Sequence, residues 1–355
     1  MTGKRYFRFG LCSGLLVLAL LLSLSGCERQ PTAREFNETV YTFGTLVNVT
    51  LVGVDEAQAQ TAYTAMLDDF TYMHQTWHAW QPNALARING LLKTGVPFSL
   101  APSILPLITQ AQTLSAQSEG LFNPAIGQLI NLWGFQTDSR DEHAPPPTPD
   151  EIAQWLRQPP SMDDIVIDGL NMRGLNPQLQ LDFGGFAKGY AVDVAINHLR
   201  ELGVENAIIN AGGDLRAIGR HGQRPWRVGI RHPRKEGVFA SLEIEGDESV
   251  FTSGDYERFF EYEGRRYHHI IDPRNGYPAD QVRSVTVIHP DGATADAAAT
   301  ALFIAGPKDW HRIAKRMGIK YVMLIDKGGR VHMNPAMQQR LQFKYTPEVL
   351  LSEEL

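Results

Sequence analysis

GATADAAATALFIAG, residues 292–306, follows the β-branched run VRSVTVIHP at 282–290. Its alanines, with Leu302, Phe303 and Ile304, describe a helix buried by small apolar side chains. Within it stand Asp296 and Thr300, a carboxylate and a hydroxyl spaced i and i+4 on one face. Two readings stand on this stretch alone. Asp296 is an N-cap and Thr300 bonds back to a carbonyl, or the two oxygens converge on one ligand.

Outward from this helix, the pattern predicts a second helix near 307–317 and a hairpin over Tyr321–Met333. Strands are expected at 45–54, 165–169, 207–211, 226–232, 241–246, 257–262 and 265–271, the last two forming a hairpin around Glu263-Gly264. Helices are expected over about 56–74, with Ala62, Met66, Leu67, Phe70 and Met73 in one stripe, over 104–118 and over 187–202. A proline-rich excursion, 141–152, ends in a helix start with Thr148 as N-cap, Pro149 first and Glu151 closing a capping box. Strands and helices mix without a regular βαβ repeat. That favours one α+β domain with mixed and antiparallel sheets and flanking helices over a doubly wound sheet.

The chain of 355 residues, 43% hydrophobic, can bury a substantial core. Lys4, Arg5 and Arg8 precede an apolar run from Leu11 to Leu22, too short for a spanning helix and typical of a secretory leader. Leu24-Ser25-Gly26-Cys27 matches a bacterial lipobox, with cleavage before a lipid-modified Cys27 and anchoring through its acyl chains. The expected organisation is therefore a leader over 1–26, a lipidated polar tether over 27–38 and one domain over 39–355. Cys12 leaves with the leader, so the mature chain forms no internal disulfide. The formal charge of −6 becomes −9 once the leader's three cations go, which argues against a nucleic-acid partner.

Several further segments carry polar groups with chemical potential. In DFGGFAKGYAVD, 182–193, Asp182 ends a strand, Gly184-Gly185 turn the chain, and a helix opens at about Ala187. Free N–H groups at a helix start suit an anion. Lys188 adds a mobile positive charge in the first turn, where the helix dipole disfavours a cation unless a negative partner is near. NAGGDLRAIG, 210–219, supplies another glycine turn and Asp214 as a second wall. TSGDYERFF, 252–260, leads into YHHIIDPRNGYP, 267–278. There His268 and His269 point to opposite faces of a regular strand, and Gly276 supplies positive φ to a turn. WHAWQPNALARIN, 77–89, holds Trp77 and Trp80, which can stack on a flat ring or simply pack. EGLFNPAIGQLINLWGF, 119–135, is mostly apolar, and its Phe122 and Trp133 fit a core.

In order and joint presence, these segments resemble the ApbE family of FAD:protein FMN transferases, over nearly all of the chain from YTFGT at 41–45 to the helix at 292–306. The resemblance implies a single large domain that binds FAD and Mg2+, moves FMN onto a threonine or serine of an acceptor protein and releases AMP. It implies Asp296, Thr300 and the Gly185 carbonyl as metal ligands. It also implies FAD contacts from Asp182, Lys188, Leu121, Phe122, Asn123 and the backbone near Ile270, with Phe43 and Trp80 beside the flavin. One of His268 and His269 is the general base, with His269 preferred. Phe43 replaces the methionine of a T-M-G-T segment, and Ala299 replaces a second aspartate found in some relatives. The implied partners are an exported flavin-acceptor subunit of a redox complex and, through the lipid, the periplasmic face of a membrane, with the inner membrane preferred. Two alternatives keep the FAD site: a lipoprotein that holds FAD without transfer, and a Mg2+-dependent FAD pyrophosphatase.

Overall fold

Nine strands join in chain order into one sheet: β1 (Glu35–Thr42), β2 (Thr45–Val52), β3 (Ala207–Ala211), β4 (Asp214–Gly219), β5 (Gly246–Gly254), β6 (Val282–His289), β7 (Tyr321–Asp326), β8 (Val331–Met333) and β9 (Val349–Leu351). All neighbours are antiparallel except β8 and β9. This is a computed structural model that describes residues 34–137, 140, 144–244 and 246–355. The expected leader and Cys27 lie outside the described residues, as does part of the proline-rich excursion. Among the described residues, no helix is long and apolar enough to cross a membrane.

The central strands are covered on both faces, and so Val282–His289 is buried almost throughout, its Ser284 and Thr286 included. Phe251, Val285 and Val287 enter one core with the helices. Val250 and Ile288 enter the other, against the Trp226–Arg231 and Val238–Ile244 hairpin. Three helices make the first layer: α1 (Glu56–Trp77), α2 (Ala187–Glu201) and α3 (Gly292–Arg316). α2 packs between α1 and α3, and α3 lies on β5 and β6. Asp55 caps α1 by accepting the Gln58 N–H at 2.9 Å. Gly306, at φ 72° and ψ 179°, breaks α3 before Pro307, so the two helices expected from sequence form one interrupted span.

The Glu263-Gly264 hairpin forms as expected, with Tyr262 opposite Arg265 and positive φ at both turn residues. The Thr148 capping box is also present. One boundary is corrected. β1 starts at Glu35, which pairs with Val52, so residues 35–38 of the expected tether belong to the sheet. They mimic a linker because β1 is an edge strand with mostly exposed side chains, and such strands carry polar residues.

Candidate active site

α3 opens on Asp291, not Asp296: the Asp291 carboxylate accepts the Thr294 N–H at 2.7 Å. Asp296 sits inside the helix, 6% exposed. One of its oxygens, Oδ2, accepts the Gly189 N–H of α2 at 3.1 Å. Thr300 Oγ1 lies 3.2 Å from Ser253 Oγ of β5 instead of bonding back along its own helix. The capping reading of this pair therefore fails. The double-glycine turn lies against the same point, since a Cβ on Gly185 would come within 3.3 Å of Thr300 Oγ1.

Lys188 is not the mobile cation expected from sequence. Its Nζ pairs with the buried carboxylate of Asp214, whose other oxygen accepts the Thr252 N–H at 2.9 Å. Burial acts to lower the Lys188 pKa, but Asp214, Asp296 and Glu257 outweigh it and hold the ammonium above its ordinary value. Asp296 is pushed up to about 7, first by burial and then by Asp214, with Lys188 opposing. A carboxylate with one oxygen that takes no hydrogen bond among the described residues, a lysine and a hydroxyl thus lie close together. Sequence reasoning placed Asp214 only as a wall and gave Ser253 no role. The NAGGD and TSGD segments contained both, but nothing local says that they meet α3.

The two histidines differ in what their rings are free to do. His268 is buried, with Nε2 donating to the Ala279 carbonyl at 2.8 Å and Nδ1 accepting the Ile270 N–H at 3.3 Å. Its ring packs edge-on against Phe303 of α3. Both nitrogens are spent. His269 Nδ1 donates to the Arg258 carbonyl at 3.2 Å, and its Nε2 lone pair takes no hydrogen bond among the described residues. Burial, then the charges of Arg258, His268 and Lys188, push its pKa down to about 3, so the ring is neutral at physiological pH.

The expected flavin contacts are held by the fold in several ways. Trp80 Nε1 donates to Asp182 Oδ2 at 3.0 Å, while Asp182 Oδ1 accepts the Gly184 N–H at 2.8 Å and sets the glycine turn. Phe43 stands at φ 52° in the β1–β2 turn, edge-on to Phe70 and His74. Leu121 and Phe122 are buried, with Phe122 against Phe186. Asn123 is committed to local structure, accepting the Ala125 N–H at 3.1 Å and donating to the Pro160 carbonyl at 2.9 Å. The Ile270 carbonyl accepts the Ala279 N–H, and its own N–H goes to His268.

Among the described residues, no three His, Cys, Asp or Glu side chains gather as a metal shell. The donors that do meet are a carboxylate, a hydroxyl and glycine backbone. These are hard oxygens of the kind Mg2+ accepts alongside water and phosphate. The second carboxylate oxygen of Asp296 takes no hydrogen bond among the described residues, so the donor set fits such an ion.

The fold places the chain in a class of solved flavin-transferase structures. It matches the apo Pseudomonas stutzeri flavinyl transferase ApbE at 30% identity and TM-score 0.76, covering 88% of this chain and 98% of that one. The Thermotoga maritima ApbE protein matches at 29% identity and TM-score 0.79, covering 88% and 100%. The ApbE family profile matches residues 43–323, and the chain belongs to that family. Among relatives, a FAD:protein FMN transferase of Rhodobacter capsulatus is 42% identical over 92% of this chain, which spans 62% of that relative's length. One from Vibrio cholerae is 33% identical over 88% of this chain and 93% of its own.

Proposed function

We propose that this protein is a Mg2+-dependent FAD:protein FMN transferase that moves FMN from FAD to a threonine or serine hydroxyl of an acceptor protein and releases AMP. One observation carries the reading. Asp296 and Thr300 present a spare carboxylate oxygen and a hydroxyl one helical turn apart beside Gly185. The names of the relatives support the same chemistry.

In the transfer, the acceptor hydroxyl oxygen bonds to the FMN phosphorus. The phosphorus–oxygen bond to AMP breaks, and AMP leaves with the electron pair. His269 Nε2 takes the hydroxyl proton, and its Nδ1–H bond to Arg258 fixes that tautomer. Asp296, Thr300 and the Gly185 carbonyl would hold the metal, which would supply positive charge against the diphosphate. Lys188, paired with Asp214 and within the field of Asp296, adds a fixed positive charge beside them. Asp182 holds the glycine turn and Trp80 in place beside the start of α2. Attachment to the periplasmic face of the inner membrane through lipid on Cys27 would place this site before an exported redox subunit.

The deciding assay mixes purified protein, FAD, Mg2+ and a candidate acceptor. Transfer gives an acceptor heavier by FMN, with one AMP released for each FMN attached. Release of FMN and AMP with unchanged acceptor mass identifies a pyrophosphatase instead, and bound FAD without turnover identifies a storage protein.

A further inference from the structure

Two helices meet in this site through a reciprocal pair of contacts. Gly189 and Asp193 lie one turn apart on α2, and Gly292 and Asp296 one turn apart on α3. The Gly189 N–H donates to the Asp296 carboxylate at 3.1 Å. In return, the Asp193 carboxylate accepts the Gly292 and Ala293 N–H groups, each at 2.9 Å. Together with Asp291 on Thr294, carboxylates satisfy three of the four N–H groups that a helix start leaves open. Nothing larger than glycine fits the crossing. A Cβ on Gly189 would overlap the Gly292 carbonyl, and one on Gly292 would lie 2.8 Å from Asp193 Oδ1.

Asp193 is itself held from behind. Arg216 of β4 donates to Asp193 at 2.5 Å and forks onto Asp247 with two bonds of 2.9 Å, and Arg200 donates to Asp247 at 2.6 Å. Arg216 is 6% exposed and Asp193 8%. A chain of alternating charge thus runs from the exposed side of α2 to the first turn of the helix that bears Asp296 and Thr300.

We propose that Asp193, backed by Arg216, is a positioning residue that sets the height and rotation of α3, and so presents the Asp296 oxygen for metal binding. The proposal rests on the transferase reading for its metal. Neither residue is one of the metal donors, because both Asp193 oxygens are spent on α3 amides and Arg216. Their effect therefore passes through the geometry of Asp296, as partners behind a metal ligand commonly act.

The test compares the wild type with Asp193→Asn and Arg216→Lys, each checked for folding by circular dichroism. Mn2+ is the probe, its binding followed by electron paramagnetic resonance with FAD present and no acceptor. Asp193→Asn should weaken Mn2+ binding by roughly 10-fold or more. The Mg2+ needed for half-maximal transfer should rise by the same factor, with the FAD KM and the rate at saturating Mg2+ nearly unchanged. Amide exchange at Gly292 and Ala293 should quicken. Wild-type Mn2+ affinity in a folded variant overturns the proposal, and so does a loss of rate that extra Mg2+ does not restore. Should Asp193→Asn not fold, Arg216→Lys carries the same comparison, since it keeps the charge and loses the fork. A wild type that binds Mn2+ but transfers no FMN sinks the transferase reading, and leaves the Mn2+ comparison to judge Asp193.

Discussion

Replacing Asp296 with asparagine should make the metal-free protein more stable while removing its response to metal. The Asp296 carboxyl is buried with a single amide donor, and its pKa rises from 3.8 to about 7. At about 1.4 kcal/mol for each tenfold change in proton affinity, that rise sets a ceiling of about 4 kcal/mol on the cost of the ionised form. The asparagine NH2 gains no evident partner and gives back about 2 kcal/mol, leaving a net gain of about 2 kcal/mol. For a chain of this size that raises the melting temperature by about 3 °C. The sign depends on pH. Between 3.8 and about 7 the folded protein keeps a proton that the unfolded chain has lost, so wild-type stability falls as pH rises through that window. Below it the ionisation cost is gone and only the asparagine penalty remains, so the variant should be less stable than wild type by about 2 kcal/mol. Calorimetry in EDTA at pH 4 and pH 8 reads the difference. Mg2+ added to the FAD complex should then raise the wild type, by about 2.7 kcal/mol at a hundredfold excess over Kd, and leave the FAD complex of the variant where it was. A variant that melts at or below the wild type at pH 8 without metal would refute the reasoning, because Asp296 would then be an anchor satisfied by the fold itself.

Four other outcomes are expected. His269→Ala should cut transfer by about 10²- to 10⁴-fold without moving the melting temperature, whereas His268→Ala should cost about 1–3 kcal/mol through its two broken hydrogen bonds; equal effects on both measures would remove the distinction. The acid limb of kcat/KM should follow Asp296, not His269, and move to lower pH as Mg2+ is raised, since metal and proton compete for one carboxylate. A limb indifferent to Mg2+ in pH–rate profiles counts against the ligand assignment. Gly189→Ala should lose about 1–3 kcal/mol in chemical denaturation as α2 and α3 are forced apart, and an unchanged midpoint would show that the crossing has slack. Lys188→Met strands the buried Asp214 carboxylate, so stability should drop by about 1–3 kcal/mol and the FAD KM should rise; a variant as stable as wild type would mean that Asp214 finds another partner.

Much of the architecture follows from local patterns. The start of α1, the capping box at Thr148, the turn at Glu263-Gly264 and the break at Gly306-Pro307 all come from caps, turn residues and periodicity, which act within a few residues. Where the pattern misleads, burial is the reason. An exposed edge strand over 35–38 carries the same residues as a linker, and the strand expected over 241–246 spans Val238–Ile244 because its partner at 226–231 sets its length.

By itself the sequence determined the helix that carries Asp296 and Thr300 on one face, the glycine turn before Lys188, and the order of segments that marks the family. Spacing along one helix is a local property, so 292–306 sufficed for it. Tertiary structure alone decided what those oxygens face. Gly189 is 107 residues from Asp296, Ser253 is 47 from Thr300, and Asp214 is 26 from Lys188. These contacts depend on how α2 and α3 cross over a nine-stranded sheet, and no short-range periodicity encodes that crossing. The same long-range packing separated the two adjacent histidines, leaving one ring with both nitrogens engaged and the other with one nitrogen that takes no hydrogen bond among the described residues.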